Sequence, residues 1–348
     1  MRWPLSSCSP SCSSDRPVFS AALPCQSSGN SDMGRGNSIA LVLLVLAVAG
    51  LPFVTTGSYT LTVGIFSGIN ALVAIGLCVL MGSAGQVSLG QAGFYGIGAY
   101  VSSVLSIKFG LPVALSMIAA MAVASAAAAL LAVPALRLKG HYLAVATLGF
   151  GEIINVILNE WGPGGPSGFG DIPHLSLFGY TLSSTTSNFY FIWLCVAAGL
   201  VFSLNILNSM TGRSLRAIHG SETASIAMGL DIVALKIKVF VLSAIYASLA
   251  GALYAHYVTF ISPSSFNLFY SVLALMMVVL GGITNVWGGV VGAVIITILP
   301  ELLRKFEEFD VLVYGLILTL SLLFLRKGLV PLLIEKAARL KGGTDARA

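Results

Sequence analysis

The chain has 348 residues, 57% of them hydrophobic and only 9% charged, with a mean hydropathy of +0.94. Soluble domains carry about 25% charged residues, so water is excluded as the solvent for most of this sequence. The net charge of +5 is not a nucleic-acid footprint, because the basic residues sit in short connections between apolar runs, where the positive-inside rule accounts for them.

Residues 1–32 are rich in Ser, Pro and Cys, and they lack both hydrophobic periodicity and the apolar core of a signal peptide. They are expected to be a disordered or untranslated tail, with Met33 as a conventional start. Apolar runs then follow at 38–57, 59–81, 86–107, 111–133, 141–158, 188–207, 233–257, 268–284, 286–300 and 310–326. A hydrocarbon core about 30 Å thick needs roughly 20 apolar residues per helix. The pattern therefore predicts an all-α fold, a polytopic transmembrane helical bundle of about ten spans with broken helices, occupying 33–330 and followed by a cytoplasmic tail at 331–348.

An even number of spans puts both ends on one side. If that side is the cytoplasm, the inside segments hold Arg35, Arg137, Lys139, Arg213, Arg216, Lys236, Lys238, Arg326 and Lys327, against Lys108, Arg304 and Lys305 outside. Cys8, Cys12 and Cys25 lie in the tail and Cys78 and Cys195 within spans, with no CxxC pair and no His at ligand spacing. Neither a disulfide framework nor a metal site is indicated. His141, His174, His219 and His256 are scattered and are read as structural.

The run 141–158 contains Gly149 and Gly151, and the runs 268–284 and 286–300 meet around Gly281-Gly282-Ile283-Thr284-Asn285-Val286-Trp287-Gly288-Gly289. Interrupted helices at membrane depth occur where freed backbone groups meet protein or a water-lined cavity, which points to a transport route. Close helix packing is the competing explanation, and it suits Gly64 with Gly68 and Gly288 with Gly292, each four apart. Glu152 is the acidic residue well inside a span. At mid-membrane a charge costs about 2.5–3.5 kcal/mol, so it either faces a cavity or partner, or sits nearer the interface as a cap.

Two connections stand out. The stretch from Glu160 to Asp171 is Gly- and Pro-rich and is read as a non-helical outside loop: a surface that receives a solute-binding protein, a gate, or a plain connector. The inside stretch from Gly212 to Asp231 reads instead as two short amphipathic helices. Leu215, Ile218, Ile226 and Leu230 fall near helical spacing, Gly220-Ser221 supplies a break and an N-cap, and Glu222 sits at a favourable helix start. There is no G-x-x-x-x-G-K-[ST] run, so ATP hydrolysis by that route is excluded and energy must come from a partner or an ion gradient. No Ser/His/Asp or Cys/His set is identifiable, and no catalytic residue or cofactor is expected.

From about Leu61 to Arg304 the sequence resembles the permeases of branched-chain amino-acid ABC transporters. The resemblance is carried by Met81–Tyr100 (MGSAGQVSLGQAGFYGIGAY), Leu136–Leu148 (LRLKGHYLAVATL), Gly212–Ile218 with Ala227-Met228-Gly229, and Val279-Leu280-Gly281-Gly282. It implies a multi-pass subunit of the bacterial inner membrane that translocates amino acids. It further implies ATP-binding cassette ATPase subunits, a second homologous permease and a periplasmic solute-binding protein as partners. Gln86, Gln91, Gly149, Gly151 and Glu152 are then candidates for the translocation route, and Arg213, Arg216, Glu222, Ala224 and Gly229 for coupling to the ATPase. The general importer motif E-A-A with a following Gly is met by Glu222-Thr223-Ala224 and Gly229 with one extra residue. Related cargoes, namely urea, short amides or sugars, stay open, as does an ion-coupled carrier using Glu152, although such a carrier has no use for the helices at 212–231. A membrane-embedded enzyme would need clustered His, Asp or Cys residues.

Overall fold

The computed structural model describes residues 58–135, 141–177, 180–181 and 184–303, with scattered positions between 41 and 52 and Gly315. The chain divides between Ala47 and Val48 into two units, and the fold below concerns the second. The expected spans 38–57 and 310–326, the tail 1–32, the tail 331–348 and the Arg137–Gly140 turn fall wholly or largely outside the described residues.

Ten helices follow in chain order: α1 (Ser58–Ala84), α2 (Gln91–Lys108), α3 (Val113–Ala135), α4 (His141–Glu160), α5 (Thr185–Asn208), α6 (Met210–Gly220), α7 (Glu222–Ala227), α8 (Ile232–Val258), α9 (Leu268–Gly281) and α10 (Val286–Leu303). Two 3-10 turns, Gly165–Ser167 and Pro263–Phe266, and a hairpin of two-residue strands, β1 (Ser176–Leu177) and β2 (Tyr180–Thr181), complete the described elements. Among the described residues the fold is all-helical but for that hairpin and an isolated bridge between Phe169 and Ile261. Five helices, α1, α3, α4, α5 and α8, are long and apolar enough to cross a membrane; α9 and α10 form a pair bent by 120° and make a sixth candidate if counted as one span.

The helix α2 fails that test for a physical reason. It is sheathed by protein, with Gln91–Tyr100, Ser102, Ser103 and Ser106 all buried, and α8, α3 and α4 packed around it. A helix enclosed over most of its length can carry Gly and Ser at a density that lipid would not tolerate, and the partly open positions Val101, Val104 and Leu105 are apolar. Its contact with α8 is backbone to backbone: a Cβ on Gly98 would lie 2.1 Å from the Ser248 carbonyl oxygen, and one on Gly251 would lie 2.0 Å from that of Tyr95. Alongside, α3 buries the ridge Ala120, Ala124, Ala128 and Ala132 completely. Spacing of four along one helix row lets a neighbour approach closely.

The bend between α9 and α10 matches the interruption expected around Gly281. A Cβ on Gly281 would fall 1.8 Å from the Gly288 carbonyl oxygen, so the hairpin closes only without side chains there. The freed groups are answered within the protein. Gly282 N–H donates to Val278 O (2.9 Å), Asn285 Oδ1 accepts from Trp287 N–H (3.2 Å), and the Cys78 thiol of α1 lies 3.2 and 3.3 Å from the Ile283 and Asn285 carbonyls. A polar thread then ties the bent pair to α1: Tyr270 Oη donates to Asn70 Oδ1 (3.0 Å), and Asn70 Nδ2 to Thr297 Oγ1 (3.0 Å).

By contrast, α4 runs unbroken through Gly149 and Gly151, so the interruption expected there is not present. The helix expected from residue 86 begins at Gln91, and the non-helical backbone lies before it, at 85–90. Gly64 and Gly68 lie against Phe189 and Ile192 of α5, the packing role expected of them.

Gly98→Ala should destabilise the detergent-solubilised protein by about 1–3 kcal/mol, the usual cost of overpacking a tight contact. Gly220→Ala, where a Cβ meets nothing within 4 Å, should stay within about 0.5 kcal/mol. Thermal unfolding followed by circular dichroism compares the two.

Candidate functional site

The connection Gly85–Gly90 enters the protein as open backbone between two helices, and the residues around it are small and polar. Gly85 adopts φ +64°, in the left-handed region that favours glycine, as α1 ends. Leu89 N–H donates to Thr147 Oγ1 of α4 (3.0 Å) and Ala92 N–H to Ser271 Oγ of α9 (2.9 Å). Gly90 N–H reaches Ser88 Oγ (3.4 Å), and Gln91 Nε2 donates to Ser243 Oγ of α8 (3.0 Å). Four helices thus meet at the first turn of α2. Of the first N–H groups of α2, which carry the positive end of the helix dipole, that of Ala92 is met by a side chain from a distant helix and that of Gly93 returns to Gly90 O (3.1 Å).

This places the pathway candidates in two groups. Gln86 and Gln91 are both buried in the junction, and the Oε1 atom of each lacks a hydrogen-bond partner among the described residues. Gly151 joins them, since a Cβ there would sit 3.6 Å from Gly90 Cα, so α4 packs against the start of α2 at this point. Gly149 and Glu152 lie away from the junction. A Cβ on Gly149 would meet nothing within 4 Å, and Glu152 is half-buried on the outward side of α4.

At one end of the bundle α6 and α7 form the two short helices read from the sequence. Leu215 and Ile218 are buried, and Arg213 and Arg216 are exposed on the opposite side of α6. Ser221 breaks the pair and caps α7, its Oγ accepting from Ala224 N–H (3.3 Å), which leaves Ala224 itself on the surface. Glu222, at the start of α7, pairs with Lys236 of α8 at 2.6 Å and pins the helix to the bundle. Gly229, at φ +79°, reverses the chain; Leu230 N–H returns to Ser225 O (3.1 Å), and Asp231 Oδ1 caps α8 through Ala234 N–H (3.1 Å). Ile226 is 64% exposed and Met228 beside it 78% exposed, unlike the buried Leu215 and Ile218. A six-residue helix after a break starts a new phase, so Ile226 does not continue the face of Leu215 and Ile218.

Sequence reasoning missed His219. The last turn of α6 abuts Gly85, where a Cβ would lie 2.5 Å from His219 Nδ1. The surface element therefore touches the first residue of the buried junction.

About 40 Å away along α8, by the 1.5 Å rise per residue, the stretch 160–171 makes turns and a single 3-10 turn rather than a regular helix, as expected. It is latched to the end of α8. Phe169 and Ile261 exchange backbone hydrogen bonds of 3.0 Å, and Ile172 N–H donates to Thr259 O (3.3 Å). His256, fully buried, faces Pro173 O through Nδ1 (2.8 Å) and the Ser102 hydroxyl of α2 through Nε2 (2.7 Å). A carbonyl only accepts, so Nδ1 carries the proton and Ser102 donates to Nε2.

A family model described as "Branched-chain amino acid transport system / permease component" matches residues 59–323. The chain is 35% identical to the high-affinity branched-chain amino acid transport system permease protein LivM of Salmonella typhimurium, across 87% of this chain and 76% of that protein, with the same figures for LivM of Escherichia coli K12. It is 26% identical to the ribose import permease protein RbsC of Escherichia coli K12, across 79% of this chain and 84% of that protein. No solved structure matches.

Thr147→Val should cost about 1–3 kcal/mol, because the part-buried Leu89 N–H would lose its acceptor. Thr147→Ser keeps the hydroxyl and should recover most of that stability. The unfolding midpoints of the two variants separate the hydrogen bond from the methyl contact.

Proposed function

The chain belongs to the family of branched-chain amino acid transport system permease components and is a permease subunit of an ABC importer; on that premise we propose that its cargo is a branched-chain or related amino acid. The observation that carries this reading is the reach of the resemblance: the match runs through the buried junction at 85–91, the surface pair α6–α7 and the α9–α10 bend in one continuous stretch, residues 59–323. The ion-coupled carrier left open by the sequence is set aside by the family. A sugar cargo is kept as the second reading, because a ribose import permease aligns over 79% of the chain.

In this proposal the subunit sits in a bacterial inner membrane with about ten spans, both ends of its 33–330 domain in the cytoplasm and 160–187 outside. ATP is hydrolysed by separate cassette subunits, a second permease completes the membrane part, and a periplasmic binding protein delivers cargo to the outer end. Binding of ATP elsewhere moves this chain only through a surface whose contacts differ between two states. The helices α6 and α7 suit that role: Ile226 and Met228 offer an apolar knob, Arg213 and Arg216 flank it, Ala224 lies on the same short helix, and the Glu222–Lys236 pair keeps it rigid. The contact of His219 with Gly85 supplies the path inward, so a shift of α6 is felt where Gln86 and Gln91 lie. Gln86, Gln91, Gly149, Gly151 and Glu152 are proposed along the route, Gly149 and Glu152 where it borders the second permease.

Reconstituted complex loaded with labelled leucine should lose its signal to valine and isoleucine but not to urea or ribose; competition by ribose alone would favour the sugar reading. For coupling, Gly229→Val strains a left-handed position by about 1–2 kcal/mol, about a tenfold effect on the population of the docked shape. That variant and Ile226→Asp should each lower uptake and transport-stimulated ATP hydrolysis about tenfold on the same scale, while insertion and cargo capture by the binding protein are unchanged.

A further inference from the structure

Among the spanning helices α4 is the least covered by its own chain. Its buried positions, Leu143, Thr147, Gly151 and Leu158, face α2, and the opposite side carries Tyr142 (74% exposed), Val145 (66%), Gly149, Ile153 and Val156, with Glu152 at its edge. The outward residues of α3 (Leu115, Ile118, Val123, Leu130) and those along the middle of α5 (Leu194, Val201, Phe202) are apolar, as lipid requires, with the exposed Asn205 and Asn208 confined to the end of α5. The α4 side differs from them in two respects. Glu152 lies eleven residues from one end and eight from the other, about 16 and 12 Å, near the middle of a hydrocarbon core about 30 Å thick. Nothing among the described residues pairs with it, and its polar neighbour Asn155 is committed to the Pro263 and Phe266 carbonyls at 3.1 Å each. One turn away, Gly149 leaves a notch at the centre of the stripe, with open space where a Cβ would sit.

A carboxylate at that depth is disfavoured against lipid, and a notch flanked by Val145 and Ile153 accepts another helix at close range. We propose that this face of α4 is the docking surface for a second, different membrane-embedded subunit that presents a hydrogen-bond donor or cation toward Glu152. The inference rests on the permease reading above and names the surface that reading leaves open. A second copy of this chain fits poorly. A two-fold contact centred on Gly149 would bring the two Glu152 side chains near each other in a medium of low dielectric, and α4 carries Glu152 and Glu160 but no Lys or Arg to compensate.

The test uses the intact complex, purified through a tag on this chain. The photo-cross-linking residue p-benzoylphenylalanine is placed one position at a time at Val145, Ile153 or Val156, with Leu130 and Leu194 as lipid-facing controls. The expected result is a covalent adduct from the three α4 positions with a polytopic subunit whose peptides differ from this chain, and lipid adducts from the controls. Gly149→Leu fills the notch and should reduce the co-purifying subunit at least tenfold, whereas Gly149→Ala should retain it. Lipid adducts alone from α4, adducts with a second copy, or protein adducts from Leu130 and Leu194 in place of α4 would each overturn the proposal. Because this readout needs no cargo, a complex that cross-links as expected but does not take up leucine refutes the amino-acid reading and leaves the surface standing.

Discussion

Inside a hydrocarbon core a backbone N–H or C=O has no water to turn to, and that constraint organises the whole bundle. Continuous helices satisfy it by themselves, and the breaks at 85–90 and between α9 and α10 satisfy it by borrowing. The junction at 85–90 borrows hydroxyls from α4 and α9, and the α9–α10 bend borrows the Cys78 thiol from α1 and the amide of Asn285. Each loan fixes a neighbour in place. The positions of α4 and α9 beside the start of α2 are therefore coupled to where the chain leaves helical geometry, and a break cannot move without releasing the helices that supply its partners.

The same constraint explains why polar side chains in this protein are small and internal. Ser102, Ser116, Ser243, Ser248 and Ser271 are all at most 1% exposed, on helices whose other sides meet lipid or protein. The two breaks differ in how they treat leftover acceptors. The bend has its carbonyls met by neighbours, while the junction keeps the Oε1 atoms of Gln86 and Gln91 without partners among the described residues. That surplus of acceptors distinguishes the junction from ordinary packing.

What could be read from the residues followed their periodicity and their turn chemistry. The paired helices at 212–231, the Ser221 cap and the break near Gly281 rest on local rules, and each is found in the structure. The readings that failed depended on contacts distant in sequence. Glycines two apart in α4 looked like an interruption, but Gly151 is a seat for Gly90, just before α2, and the backbone never leaves helical form. Gln86 looked like the start of a span because nothing nearby marks the Thr147 and Ser271 hydroxyls that hold the segment open. The phase of Ile226 was lost at Ser221, since periodicity cannot be carried across a break. His219 and Cys78 had no local signal at all; each matters for an atom met far along the chain, Gly85 in one case and the Ile283 and Asn285 carbonyls in the other.

The His256 latch has a consequence for whatever lands on that end of the bundle. The turns at 160–173 hold their shape through the exchange between Phe169 and Ile261 and through an imidazole wedged between Pro173 and Ser102. Much of the entropy of ordering this loop is thus lost when the protein folds and not when a visitor arrives, which leaves more of the contact energy available as affinity. A landing pad set in this way also discriminates by shape, because it cannot mould itself to an ill-fitting surface without first breaking a buried hydrogen bond.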